Sequence, residues 1–556
     1  MKNIFLLPFR KDIRLFFGKN IRTYFKNYRR KMVRPNSCCI YLILLFWCTA
    51  HVNAQTQKKV LYARAYYLNT SGNDENKGTR NSPWKTIQKI NSIYLSAGDT
   101  VLFKAGQIFI GTLLLDSNSE GRRGQPILVT AYGKGKSIID AGNESAMIIK
   151  KTKFITIKKL KLSGSGRKNG NSGNGLSLLN CSNVLVNDLD ISGFRNSGVS
   201  VYTSSDIRVI GVDAHDNGFA GISISGEYLL KKSCSNVYIG YCKAFNNPGS
   251  PVILDNHSGN GIVAGNCSKL TIEYCVATDN GWDMPRIGNG PVGIWCYEAD
   301  SVVIQHCISY RNKTSVGGDD GGGFDLDGGV TNSVIQYCLS YENQGSGFGI
   351  FQYAGASAWH NNTIRYNISE NDGTVSAARA GIYIWNSSDD SLQFYNCLIY
   401  NNTIYNGKGY AINFAGQSQR KGFLLYNNIF VAGDTLLKGK RSNDTFLAND
   451  WWSLKNKFNI EGIINLEEWA KKSGQEIMAG KVVGLNKDPG FKKTGGSTLT
   501  SCRGLKLFDP YKISSHSPLS RMGLNLHILY GIETGGVDFN GQPAPVKGIG
   551  ASFIKD

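Results

Sequence analysis

SNVYIGYCKAFNN, residues 235–247, returns as SKLTIEYCVATDN at 268–280 and DSVVIQHCISYRN at 300–312. Each copy alternates apolar and polar residues, reaches Tyr-Cys or His-Cys at one point, and closes on an asparagine. Alternation with period two is the mark of a strand, and nothing in these segments follows the 3.6-residue period of a helix. Related segments start at Ser182 and Ser204, and Asn217, Asn247, Asn280, Asn312 and Asn343 recur at matching places. Asparagine tolerates left-handed backbone and, stacked coil on coil, can form a hydrogen-bonded ladder. Cys242, Cys275, Cys307 and Cys338 fall in register too, so parallel strands about 4.8 Å apart would stack their thiols in an internal column. Reduced buried cysteine behaves there as a small hydrophobe, and a line of one residue type does not make a tetrahedral metal site.

Between these strands lies a second repeat, a small residue followed by apolar, variable, apolar. Its anchors read Leu176, Val199, Ile222, Ile262, Val292, Phe324, Phe348, Ile382 and Ile412, at spacings of 23 to 40 residues. The shortest spacing holds one coil of three short strands, and the longer ones add loops. That is the signature of a solenoid.

The pattern resembles the right-handed parallel β-helix superfamily, the fold of pectate lyases and polygalacturonases, over roughly residues 60–555. The resemblance implies an all-β, single-stranded right-handed parallel β-helix with a short N-terminal capping helix. Composition agrees: 65 glycines serve many tight turns, and charged residues make up only 19%. Four segments follow from the pattern: a basic lead and signal peptide at 1–54, an N-terminal cap with the first coils at 55–145, the repeats with the candidate groove at 146–435, and an insertion with closing coils at 436–556. The cap reads as a strand from Tyr66, a polar loop and a helix capped by Ser82 with Pro83 at its first position. INLEEWAKKSGQEI, from Ile464, reads as the second helix.

Residues 1–34 carry eleven Lys or Arg and one acid, before the apolar run CCIYLILLFWCTA and a small-residue cleavage site ahead of Gln55. This predicts export to the periplasm or beyond; a start at Met32 would give a signal peptide of ordinary length. The apolar run is too short for a stable membrane span. The remaining chain keeps ten cysteines and a net charge of +11. That charge suits an acidic polysaccharide through long-range attraction, whereas nucleic acid is excluded by export and by the lack of a Lys/Arg block. A monomer is expected.

GGDDGGGFDLDGG, residues 317–329, concentrates the chemistry. On a strand, Phe324 and Leu326 would point into the coil, and Asp325 and Asp327 would stand together on the outer face. Crowded acids raise one another's pKa, the setting for acid/base or calcium chemistry. Stacking the anchors puts Asp325 in a column with Gly293 and Gly349, and Asp327 with Trp295 and Phe351. Tyr383 and Trp385 follow one coil on. Aromatic rings around carboxylates suit a sugar site, which makes Trp295, Phe351, Tyr383 and Trp385 candidate substrate contacts, joined by His257 and Glu298. The bland alternative is that these rings pack under loops and the aspartates cap turns.

Three readings compete. A glycoside hydrolase needs two carboxylates, here from Asp325, Asp327 and Asp320, and no cofactor; neighbours on one strand, with roughly 6.5–7 Å between attachment points, fit either stereochemical course. Clustered aspartates resemble those of polygalacturonases, although that family's Gly-His-Gly and Arg-Ile-Lys elements are missing. DDGGGFD also resembles the cluster with which some pectate lyases hold calcium, implying Asp319, Asp320 and Asp325 as ligands. The cation such enzymes use as base is missing from the next coil, GSGFGIFQY, leaving Lys313 and Arg379 as substitutes. The third reading is a non-catalytic glycan-binding protein.

Overall fold

The computed structural model describes residues 63–554, apart from residues 232, 376–379, 434 and 456. The lead at 1–54 and Arg379 lie outside the described residues. One coil shows how the rest is built. Asn260–Gly265 runs along one face, the chain bends into Cys267–Glu273, bends again into Val276–Thr278, and a loop returns it to the first face one coil on. Along these strands Ile262, Ala264, Leu270, Ile272, Cys275 and Ala277 all point inward and are buried. Period-two patterning on three faces thus closes a tube around one apolar core.

Each strand pairs in parallel with its counterpart in the next coil, giving a 12-stranded sheet on the first face and a 25-stranded sheet over the other two. The architecture is a right-handed parallel β-helix, the hand that parallel crossovers adopt. Cys242, Cys275, Cys307 and Cys338 form the expected buried column of free thiols. Burial pushes the Cys275 and Cys307 thiols well above their ordinary range. Asn217, Asn247, Asn280, Asn312 and Asn343 form a continuous ladder, each amide donating to the next side-chain oxygen at 2.8–3.2 Å, and the last donates to Asp372. The left-handed backbone expected at these asparagines falls instead on the residue before each: Asp216, Asn246, Asp279, Arg311 and Glu342. That residue makes the turn, and the asparagine behind it stays buried. A second ladder runs Asn367, Asn402, Asn428, Asn449 and ends on Glu476.

The first helix is Ile87–Asn91, capped by Thr86 rather than Ser82. Ser82 instead closes a turn with Thr79, and Trp84 pairs with Leu68. Asp74 accepts from the amides of Lys85 and Thr86 and from the Thr86 hydroxyl, which delays the helix by one turn. The second helix, Leu466–Ser473, lies where expected, with Asn465 and Gly474 as caps. A third, Leu526–Tyr530, and two short 3₁₀ turns were not expected. Among the described residues no helix is long and apolar enough to cross a membrane.

Candidate active site

The outer face of the 12-stranded sheet carries two columns of side chains across neighbouring coils. One runs Val263, Trp295, Asp325, Gly349, Tyr383. Two residues further along the strands run Gly265, Tyr297, Asp327, Phe351 and Trp385. The expected register was therefore two residues out at one coil: Phe324 stacks over Ile294, not Val292, and Asp325 stands beside Trp295, not Gly293. PVGIWCY offers two apolar pairs at the right interval. The one that enters the core follows Gly293, whose missing side chain leaves room for Ser309 and Asn312; a Cβ there would come 2.0 Å from Ser309 Oγ. Val292 packs in a small outer cluster with Ala220, Val263 and Trp295.

Phe324 and Leu326 are buried in the core as expected, with the Phe324 and Phe348 rings stacked at 5.4 Å. The two strand aspartates, expected to share one exposure, separate. Asp327 lines a cavity of about 740 Å³, together with Asp319 and Asp320 from the preceding loop. Asp325 does not line it and is 2% exposed, with Oδ1 buried and without a hydrogen-bond partner. Gly349 sits directly beside it, where a Cβ would lie 3.0 Å from that oxygen.

Burial is the main influence on all three inner acids. It pushes Asp320 up to about 7, helped by the Asp327 and Asp319 charges and opposed by the Gly290 N–H, which donates to Oδ2 at 2.8 Å, and by Arg286. It pushes Asp327 up to about 7, helped by Glu298 and opposed by the Gly328 N–H. It holds Asp325 well above the usual carboxylate range, with Asp327 and Asp320 adding. Near neutral pH the site therefore holds both protonated and ionised carboxyl groups, which a proton-transferring pair requires.

Trp295, Phe351, Tyr383 and Trp385 all line the cavity, as does His257. The state of His257 follows from its neighbours. Trp295 Nε1 can only donate, and it donates to Asn260 Oδ1 at 3.0 Å. That fixes the Asn260 amide nitrogen toward His257 Nδ1, 3.0 Å away, so Nδ1 accepts and the ring proton sits on Nε2. Burial, with Arg286 adding, lowers His257 to about 4, so the ring is neutral near pH 7 and offers one N–H donor. Glu298 is not in the cavity. It is 1% exposed behind the strand, where Oε1 accepts from the Ser357 N–H at 2.7 Å and Lys231 approaches Oε2 at 4.0 Å. Its expected substrate contact is not seen, and its charge instead helps to raise Asp327. Among the described residues no three His, Cys, Asp or Glu side chains are arranged to hold a metal ion, so Asp319, Asp320 and Asp325 are not brought together as a ligand set. Lys313 is not in the lining either.

Several lining residues escaped the sequence reading: Tyr297, Tyr353, Tyr228, Asn266, Asn289 and Arg286. Tyr297 was legible, since it stands two residues from Trp295 on the same face. Arg286 and Asn289 come from an irregular loop that carries no period.

A family model, the Pel9A-like right-handed beta helix region, matches residues 66–380. The chain belongs to this family. It is also 28% identical over 196 residues to a lacto-N-biosidase of Bifidobacterium longum subsp. longum, a match covering 31% of this chain and 12% of that protein. Among solved structures, a GH136 lacto-N-biosidase from Eubacterium ramulus aligns over 68% of this chain and 67% of its own at 16% identity and a TM-score of 0.47. Pectate lyase Pel9A aligns over 87% and 96% at 15% identity and 0.40.

Proposed function

We propose that this protein is a glycoside hydrolase in which Asp320 and Asp327 are the working carboxylates. One observation carries the reading: these two acids, unlike Asp325, line an aromatic-walled cavity, and both are held near 7. The cavity lies within the size range of small-molecule sites, and its rings offer faces for pyranose stacking. As the bond between the anomeric carbon and the glycosidic oxygen breaks, the protonated acid gives its proton to the departing oxygen, while the ionised partner either bonds the anomeric carbon, in an ester that water then hydrolyses, or takes a proton from the water that attacks that carbon. Asp320 is assigned as the acid, because two neighbouring carboxylates favour its protonated form. Asp327 is assigned as the base or nucleophile. The neutral His257 Nε2–H and the Asn260 relay behind it hold a sugar hydroxyl or carbonyl in place.

The export predicted from residues 1–54 fits a polysaccharide or other extracellular glycan as substrate. Incubation with a panel of glycans tests the reading. New reducing ends without ultraviolet absorbance from an unsaturated uronate support hydrolysis, and loss of that activity in Asp320→Asn and Asp327→Asn supports the assignment. An unsaturated product marks a lyase, for which Arg286 is the cation in the cavity. Binding without turnover leaves a glycan-binding protein.

A further inference from the structure

A second cavity, of about 560 Å³, opens on the 25-stranded sheet and shares no lining residue with the first. One of its walls is a column of rings. Tyr241, Tyr274, His306, Tyr337 and Tyr366 stand at one turn of successive coils and stack face to face, with centroids 5.0–5.8 Å apart and planes within 22°. All five occupy left-handed backbone, which is unfavourable for a bulky residue. In the far half of the column packing offsets that cost, since Tyr337 and Tyr366 are buried in one cluster with Leu524 and Leu526. The near half has no such cover. Tyr241, Tyr274 and His306 line the cavity, and Tyr241 is 59% exposed.

The column stops at Tyr241 because the next coil has no ring to add. Register puts Gly211 there, since Ile210 pairs with Gly240 and Asp213 with Lys243. A Cβ on Gly211 would meet nothing closer than 4.0 Å. One face of Tyr241 stacks on Tyr274. The other looks across a gap of one strand spacing, about 4.8 Å, where a flat ring fits as the next member of the stack.

The facing wall supplies charge. Cys502–Leu507 is a 3₁₀ turn, in which residues three apart share a face. Cys502 and Leu505 are buried, with the Cys502 thiol donating to the Cys275 carbonyl at 3.3 Å, and the Asn540 amide clasps the turn through the Leu505 and Phe508 carbonyls at 2.9 and 2.8 Å. Arg503 and Lys506, also three apart, are thereby set together on the exposed side, and both line the cavity with Lys243. Burial holds His306 below its ordinary value, with Glu273 opposing and the Lys506 charge adding, which places Lys506 within electrostatic reach of the stack. Among the described residues Arg503 and Lys506 enter no ion pair, and no carboxylate lines the cavity. Glu273, next to Tyr274 in the chain, is held instead by the Tyr238 hydroxyl at 2.8 Å and the Gln305 amide at 2.7 Å.

We propose that this cavity is a second carbohydrate site that holds an anionic sugar ring, its flat face on Tyr241 in the gap beside Gly211 and its carboxylate or sulfate on Arg503, Lys506 and Lys243. The volume lies in the range of small-ligand sites, which suits one unit of a glycan better than a protein surface. A neutral sugar would leave three cations unanswered. A nucleotide shares the ring and the charge, but the export expected from residues 1–54 sets this face against extracellular glycans. The proposal does not rest on the hydrolase reading.

Native gels at physiological salt, cast with polygalacturonate, dextran sulfate or dextran, test it on the full chain carrying Arg286→Gln, which leaves the first cavity without its cation. Retardation by polygalacturonate assigns the anion as carboxylate and by dextran sulfate as sulfate, and dextran should not retard. Tyr241→Asn, which suits left-handed backbone, should raise the dissociation constant about fivefold, and Arg503→Gln/Lys506→Gln about tenfold or more, at unchanged melting temperature. Tyr241→Phe keeps the ring and should bind like the parent. Equal retardation of the parent, Tyr241→Asn and the charge variant overturns the proposal, as does no retardation by either polyanion. A loss confined to the charge variant also overturns it, because that marks attraction without a seat for a ring. So does release by adenosine monophosphate but not by digalacturonate or a sulfated disaccharide.

Discussion

Asp325 and Asp327 are two residues apart on one strand, yet only Asp327 lines the cavity; Asp325 stands between Trp295 on one coil and Gly349 on the next, where the Phe351 ring approaches Gly349. This separates their expected phenotypes. Asp320→Asn and Asp327→Asn should each lower kcat/KM on a cleaved glycan by roughly 10²–10⁴-fold, the usual size of an acid/base contribution. Asp325→Asn keeps shape and hydrogen-bonding reach and should lose less than about tenfold. The same variant has a stability signature. Because the native carboxyl is held well above its unfolded value, ionising it costs stability as pH rises, so Asp325→Asn should melt above the parent at pH 8 and level with it at pH 4. Equal melting temperatures at both pH values would contradict the buried, unpaired placement. With Asp320 and Asp327 both near 7 and electrostatically coupled, the pH profile of kcat/KM should be a bell centred close to neutrality, its limbs belonging to the pair.

At the scale of elements, the coil is the unit that the sequence specifies. Period two, the Gly-apolar step and the recurring asparagine sufficed for the sheets, the thiol column and the ladder, since each follows from residues stacked on their own kind. Phe324→Ala should cost about 3–5 kcal/mol by opening a cavity in the coil interior, read as a shift of the denaturant midpoint. Asn280→Ala should cost about 1–3 kcal/mol, because it strands the buried Asn247 amide and leaves a gap in the ladder. What escaped the sequence was set by contacts without a period. The Thr86 cap depends on Asp74, twelve residues earlier; the register slip at Val292 depends on Ser309 filling the space beside Gly293. The site was legible where it rides on strands, in Trp295, Asp327, Phe351, Tyr383 and Trp385. It was illegible where loops of irregular length supply Tyr228, Asn256, Arg286 and Asn289, whose convergence no spacing records.

Over the whole molecule, the β-helix ends its ladders and closing coils on carboxyl groups, and this gives stability a direction with pH. Asp372 terminates the first ladder, Glu476 the second, and Asp450 accepts from the Lys487 N–H with its other oxygen buried and unpartnered. Burial pushes Asp372 and Glu476 up to about 7 and Asp450 up to about 8, from ordinary values near 4. A folded-state pKa above the unfolded one means that the native chain binds protons more tightly. The stabilisation is complete below about pH 4 and is lost as pH rises through 7 to 8. Asp74, Asp283, Asp300 and Glu461 are shifted the other way by hydrogen bonds and neighbouring cations, so their contribution fades only as pH falls below about 4. His257, His306 and His360, which burial holds below their ordinary value, pull the other way up to about pH 6.5, so the melting temperature should fall most clearly between about pH 6.5 and 8. Self-repulsion of a chain with net charge +21 opposes this at the acid end, so the measurement belongs in high salt, where such long-range repulsion is screened. Glu476→Gln and Asp450→Asn should each flatten the alkaline decline, and a parent whose melting temperature rises from about pH 6.5 to 8 in high salt would show that these buried carboxyls ionise freely.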